Sequence, residues 1–150
     1  MTPFETLAAR AGSWRGTNTL QDPHAAIADA SPSALTIAGL PDGSVRLDYT
    51  WAYRGEPQRG SLLLQQEGST VSTRWTDTWH TSERPMDCSG PAGPALSVRG
   101  SYAAPPGPDW GWRIDLDAGG DQVRVVMFNV WPAKQGGQEE LAVQAEYTRE

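Results

Sequence analysis

A chain of 150 residues, 38% hydrophobic and 20% charged, is long enough to bury one core without a metal or disulfide staple, so residues 1–150 are expected to form one domain. Its net charge of −6, from 12 basic and 18 acidic residues, works against binding a nucleic-acid backbone, and the absence of any Lys/Arg-rich run removes a polybasic membrane patch. Cys88 is the single cysteine, which excludes an intramolecular disulfide and a zinc site built on several thiolates.

Taken in chain order, Met1–Arg10 lacks the basic-then-apolar arrangement of a signal peptide, and no run of 18 apolar residues follows anywhere. A cytoplasmic protein is therefore expected. Phe4, Leu7 and Ala8 fall at i, i+3, i+4, which predicts a helix of two turns starting at Thr2 or Pro3 and stopped by Gly12. A helix that short must lean on something else to persist.

Beyond Gly12 the apolar pattern has a period of two. Val45, Leu47, Tyr49, Trp51 and Tyr53 alternate with polar or small residues, which predicts a long strand with one apolar face. Further strands are predicted through Val71, Thr73, Trp75, Asp77 and Trp79; Trp110, Trp112, Ile114 and Leu116; Val123, Val125, Met127, Asn129 and Trp131; and Leu141, Val143, Ala145 and Tyr147. Weaker patterns place strands near Trp14–Gln21, Ala34–Ala38, Gly60–Gln66 and Leu96–Ala103. Turn residues such as Pro41-Asp42-Gly43, Arg54-Gly55 and Gly136-Gly137 separate them. Asp22–Ser33 reads as a lid and Thr81–Pro94, rich in Pro and Gly, as an ordered loop. Short, even spacing points to an all-β fold, and closure removes exposed edges. The expectation is one antiparallel up-and-down barrel of about eight to ten strands with a short N-terminal helix.

Gly12-Ser13-Trp14-Arg15-Gly16, placed between a short helix and a train of strands, resembles the Gly-x-Trp opening of lipocalins and related calycins. Trp75-Thr76-Asp77-Thr78-Trp79-His80 and Trp110-Gly111-Trp112-Arg113-Ile114 resemble segments of bacterial calycin-like domains of unknown function. The resemblance implies a cup-shaped interior whose narrow end is closed by Trp14. It implies no particular chemistry.

Seven Trp against two Phe favours sites that are apolar yet partly wet, because each indole brings one donor. Parity puts Tyr49, Trp51, Tyr53, Trp75, Trp79, Trp110, Trp112 and Trp131 on the apolar faces of their strands. Core packing accounts for any one of them. Eight rings with polar tips, however, are hard to satisfy in a dry core, so a lined cavity is expected, with Asn129 on the same face. Asp77 lies between Trp75 and Trp79 and must find donors, either from the protein or from a ligand. No Arg points inward on the five clear strands, so a fatty-acid carboxylate lacks a clamp there.

His80, Asp87 and Cys88 invite a metal or Cys–His reading, but the spacing is unlike that of a zinc site and no base is placed to activate the thiol. A haem ligand at His24 or His80 has equally little support, since neither lies on an apolar strand face. No phosphate-cradling Gly loop or Gly-x-Ser-x-Gly elbow occurs. The reading that follows has no cofactor and no metal. It is a binding barrel for a small amphipathic or aromatic molecule. The alternatives are an isomerase or lyase using Asp77, His80 or Tyr49 in the same cup, and a structural barrel with a filled interior that forms a homodimer.

Overall fold

The computed structural model describes residues 1–150. One helix, α1 (Pro3–Ala8), precedes ten strands: β1 (Gly12–Leu20), β2 (Asp29–Gly39), β3 (Val45–Tyr53), β4 (Glu56–Glu67), β5 (Thr70–Asp77), β6 (Met86–Pro91), β7 (Leu96–Tyr102), β8 (Trp110–Asp117), β9 (Gln122–Val130) and β10 (Glu139–Arg149). Each strand pairs antiparallel with its neighbours in sequence, and β1 pairs with β10 to close the barrel. The up-and-down barrel with its short helix is the architecture that the period-two pattern implies. No helix is long and apolar enough to cross a membrane.

Because every connection is a hairpin, the loops divide between two ends. One end, the closed end, holds α1 and the turns at 40–44, 68–69, 92–95 and 118–121; the other, the mouth, holds the connections 21–28, 54–55, 78–85, 103–109 and 131–138. At the closed end Thr2 and Glu5 form a capping box, each side chain accepting the other's backbone N–H, which offsets the helix's shortness. Leu7 is buried, with Phe4 and Ala8 packed on the same core as Trp14. The Trp14 indole donates to the Arg10 carbonyl at 2.9 Å, and the Arg149 guanidinium lies 4.4 Å from the ring centroid while donating to the Ala11 carbonyl. Arg10 in turn donates to the carbonyls of Ala118 and Gly120. The Trp14 ring thus joins the end of the helix to the first and last strands, and the Arg10 side chain extends the link to the β8–β9 turn.

Three segments differ from expectation. Thr81–Pro94 is not a loop throughout, because Met86–Pro91 forms β6 against β5, with Cys88 opposite Thr73. Its sequence, Met-Asp-Cys-Ser-Gly-Pro, has too few apolar residues to show a period; the open edge of β5 dictates the strand. Asp22–Ser33 is shorter as a mouth segment than its composition suggests, since Asp29–Ser33 belong to β2. In β10 the register slips between Leu141 and Val143, so Leu141 sits opposite Phe128 while Ala142 packs against the core. Such a bulge breaks parity, and Leu141 leaves the inward set of Val143, Ala145 and Tyr147.

Near the closed end the inward residues are aliphatic, including Ile37, Leu47, Leu64 and Val123, all fully buried. Toward the mouth they become aromatic. Trp14→Ala is expected to lower the unfolding free energy by about 3–5 kcal/mol, the usual cost of truncating a fully buried Trp, as read from urea denaturation.

Candidate functional site

The aromatic half of the barrel is organised by one carboxylate. Gly60 on β4 is in register with Tyr49 on one side and Asp77 on the other. With no side chain at Gly60, the Tyr49 ring lies across β4. A Cβ there would stand 2.1 Å from the Tyr49 Cζ and Oη atoms. The phenol therefore reaches Asp77 and donates to Oδ2 at 2.7 Å, and the Trp51 indole donates to the same oxygen at 3.1 Å. The backbone N–H groups of Trp79 and His80 donate to Oδ1 at 2.8 and 3.0 Å. The Trp75 indole donates to the Tyr49 hydroxyl at 2.9 Å. Four donors fill the four lone-pair positions of a carboxylate, and Asp77 is 1% exposed. Burial, reinforced by the Asp77 charge, holds the Tyr49 phenol well above its usual pKa of 10.

Of the two alternatives open for Asp77, protein donors or a ligand, the protein supplies the donors, while the expectation of a wet, ring-lined interior is corrected. Asp77 has no capacity left to anchor a ligand. The indole and phenol tips of Tyr49, Trp51 and Trp75 are satisfied by protein groups, so they do not call for a wet interior. Asp77 also ends β5. Its carbonyl accepts from the Thr81 and Glu83 N–H groups, and its own N–H donates to the Thr81 hydroxyl. The chain thus turns at Thr78 before Trp79, which lies outside the strand assigned to it from the pattern.

The same turn carries His80 into the barrel end. The sequence pattern put His80 away from the apolar face; instead its ring packs against Trp51, Trp75, Trp79 and Trp112, with centroids 5.5, 5.7, 4.8 and 5.4 Å away. The ring nitrogens make no hydrogen bond to the protein; the one bond from His80 is its backbone donation to Asp77. Burial lowers the imidazole pKa below 6.5, an effect partly opposed by the Asp77 charge. His80 separates two spaces. Inside lies a void of about 10 Å³ bordered by Asn18, Tyr49, Trp51, Asp77 and Tyr147 among others, enough for about one water. Outside lies an open cleft of about 820 Å³ at the mouth, floored by Trp75, Trp79, His80 and Trp112 and walled by Met86, Tyr102 and Arg84. Trp75 and Trp112 stack at 5.2 Å with 12° between their planes. The Trp112 indole N–H is buried without a partner.

The remaining candidates are scattered. Tyr53 packs on Trp79 at 4.9 Å beside Arg54. Asn129 accepts from the Tyr102 hydroxyl at 2.6 Å and so supports the cleft wall. Trp110 and Trp131 pack on each other at 5.7 Å and border neither the void nor the cleft. Tyr102 was legible, since Leu96, Val98, Gly100 and Tyr102 share one strand face; Arg84, in a turn, gave no pattern.

His80, Asp87 and Cys88 do not converge. Cys88 points into the core, and burial, followed by the Asp87 charge, pushes its thiol up to about 11. Asp87 lies on the outer side and pairs with Arg74 at 3.2 Å. His24 is exposed in the 21–28 connection, where its backbone N–H donates to Asp22. No three His, Cys, Asp or Glu side chains come together as metal ligands would.

No protein-family model matches the chain, and no curated protein does. Among solved structures it is similar to the crystal structure of Rv2717c from M. tuberculosis, over 99% of this chain and 97% of that one, with a TM-score of 0.66 and 14% identity. A likeness at that identity establishes a shared barrel fold.

Two outcomes follow from the geometry. Asp77→Ala deprives the buried Tyr49 and Trp51 donors of their acceptor, at about 1–3 kcal/mol for each group left unpaired. Urea denaturation should therefore show a loss of at least about 2 kcal/mol. The second concerns pH. The folded pKa of His80 lies below its unfolded value, so the unfolded chain binds more protons as the pH falls below about 6.5. Stability should be level above that value and decline as the pH drops toward the folded pKa, by at most about 1.4 kcal/mol per pH unit. Denaturation curves between pH 7 and 5 should show this decline in the native protein and a shallower one in His80→Phe.

Proposed function

We propose that this protein is a calycin-like binding protein that holds a small, flat, amphipathic or aromatic molecule in the cleft at the barrel mouth. The observation that carries the reading is the aromatic floor of a cleft of about 820 Å³, a volume in the range of small-molecule sites. Indole and imidazole faces favour planar ligands that stack. The calycin reading draws on Gly12-Ser13-Trp14 beside the helix and on the closed ten-strand barrel.

A purely structural barrel accounts for the filled interior but has no use for a floor of rings facing an open cleft. An isomerase or lyase needs titratable groups that converge on a substrate. Asp77 and Tyr49, two of the three residues considered for that role, are bound to each other and shielded behind His80.

The reading is tested with 2-naphthamide as a probe and the indole N–H cross-peaks in ¹H–¹⁵N spectra as reporters. The Trp79 and Trp112 peaks should shift saturably, while Trp14, at the far end, stays fixed. Trp79→Ala should weaken binding by about three- to tenfold, the worth of one aromatic stack. Peaks that do not move at millimolar probe, or a Trp14 shift as large as the others, would count against the cleft.

A further inference from the structure

We propose that the cleft selects an aromatic carboxylate, its ring on the tryptophan floor and its carboxylate on Arg84. This rests on the cleft being the binding site and adds the charge of the ligand.

All but one of the arginines are committed within the protein. There are eleven in the chain, and ten of them donate to a carboxylate or a carbonyl: Arg10, Arg15, Arg46, Arg54, Arg59, Arg74, Arg99, Arg113, Arg124 and Arg149. The guanidinium left over belongs to Arg84, which is exposed and borders the cleft. Its backbone N–H donates to the Thr81 carbonyl at 3.0 Å, inside the turn that Asp77 shapes.

The acids around the mouth do not neutralise it. Glu83 holds Arg59 at 2.5 Å and Asp22 holds Arg54 at 3.4 Å, and Asp87, the one acid that borders the cleft, holds Arg74 at 3.2 Å. Asp77 has its lone pairs filled behind His80, and Asp109 does not border the cleft. His80, with its pKa lowered by burial, is neutral at pH 7 and adds no charge of its own. A protein of net charge −6 thus presents one uncompensated cation at the edge of an aromatic surface. A planar guanidinium fits a carboxylate through two parallel N–H···O bonds. The rings below it supply the apolar contact. This is the clamp that the inward faces of the strands lack, placed on a mouth turn instead.

The test compares two probes of nearly equal shape, 2-naphthoate and 2-naphthamide, by titration at low ionic strength with the indole peaks as readout. The native protein should bind 2-naphthoate at least fivefold more tightly than the amide, with the advantage shrinking at 0.5 M NaCl. Arg84→Gln, a change at an exposed turn position, should lower 2-naphthoate affinity at least fivefold and remove its advantage over the amide. If 2-naphthamide binds the native protein as tightly as 2-naphthoate, or if Arg84→Gln leaves 2-naphthoate affinity unchanged, the assignment of charge is wrong while the cleft stands. If neither probe moves the Trp79 and Trp112 peaks, both the charge assignment and the cleft fall together.

Discussion

The mouth half of this barrel depends on a buried carboxylate with no cation beside it. Asp77 is compensated by four hydrogen bonds, from a phenol, an indole and two backbone N–H groups. Each donor carries a partial positive charge fixed by the sheet or the turn. An ion held this way is stable only while all its donors stay in place, because a buried charge that loses its partners costs several kcal/mol. The consequence is geometric as well as energetic. The Oδ2 side pins Tyr49 and Trp51 on β3, with Gly60 on β4 left bare so that the phenol can cross. The Oδ1 side pins the turn that follows β5. One side chain therefore fixes both the inner wall and the segment that closes it.

The alternation along β3, β8 and β9 exposed most of the barrel in the sequence, because a strand buried on one face must repeat every two residues. The same logic placed Trp51, Trp75 and Trp112 inside, and they are. It failed where the backbone stops being a strand. Parity carried past Asp77 puts Trp79 inward and His80 outward, but the chain turns there and brings both rings to the barrel end. It failed again at Leu141, where one extra residue in β10 reverses the faces. In β6 the failure has another origin: Met86–Pro91 has almost no apolar content to alternate, and its pairing is imposed by β5. Hydrogen-bond satisfaction was the hardest feature to foresee. Counting polar tips suggested a hydrated cavity, whereas cross-strand register lets three of the tips meet one another and Asp77.

The two ends of the barrel solve different problems. At the closed end Trp14 is a plug, with its indole bound to Arg10, its face covered by Arg149, and the helix capped and packed beside it. At the mouth the rings are arranged edge to face and stacked, and Trp79 and His80 keep part of their surface uncovered in the cleft. The seam between β6 and β7, one wall of that cleft, has a single register pair, Ser89 with Arg99. It is drawn tight at Gly90, where a Cβ would stand 2.1 Å from the Ser97 carbonyl oxygen.

The fold and the cleft are therefore linked at one turn and separable elsewhere. The floor of the cleft includes His80 and Trp79, whose backbone N–H groups are bound to Asp77, and its edge includes Arg84, whose N–H is bound to Thr81 in the same turn. Loss of Asp77 removes the acceptor that holds the floor in place, so it must disturb the cleft along with the fold. Loss of Trp14 removes packing from the opposite end, and effects at well-separated sites that share no partners add nearly independently. Arg84 has the reverse character: its side chain is exposed and only its backbone N–H is tied into the turn, to the Thr81 carbonyl, so its loss should leave the fold nearly unchanged.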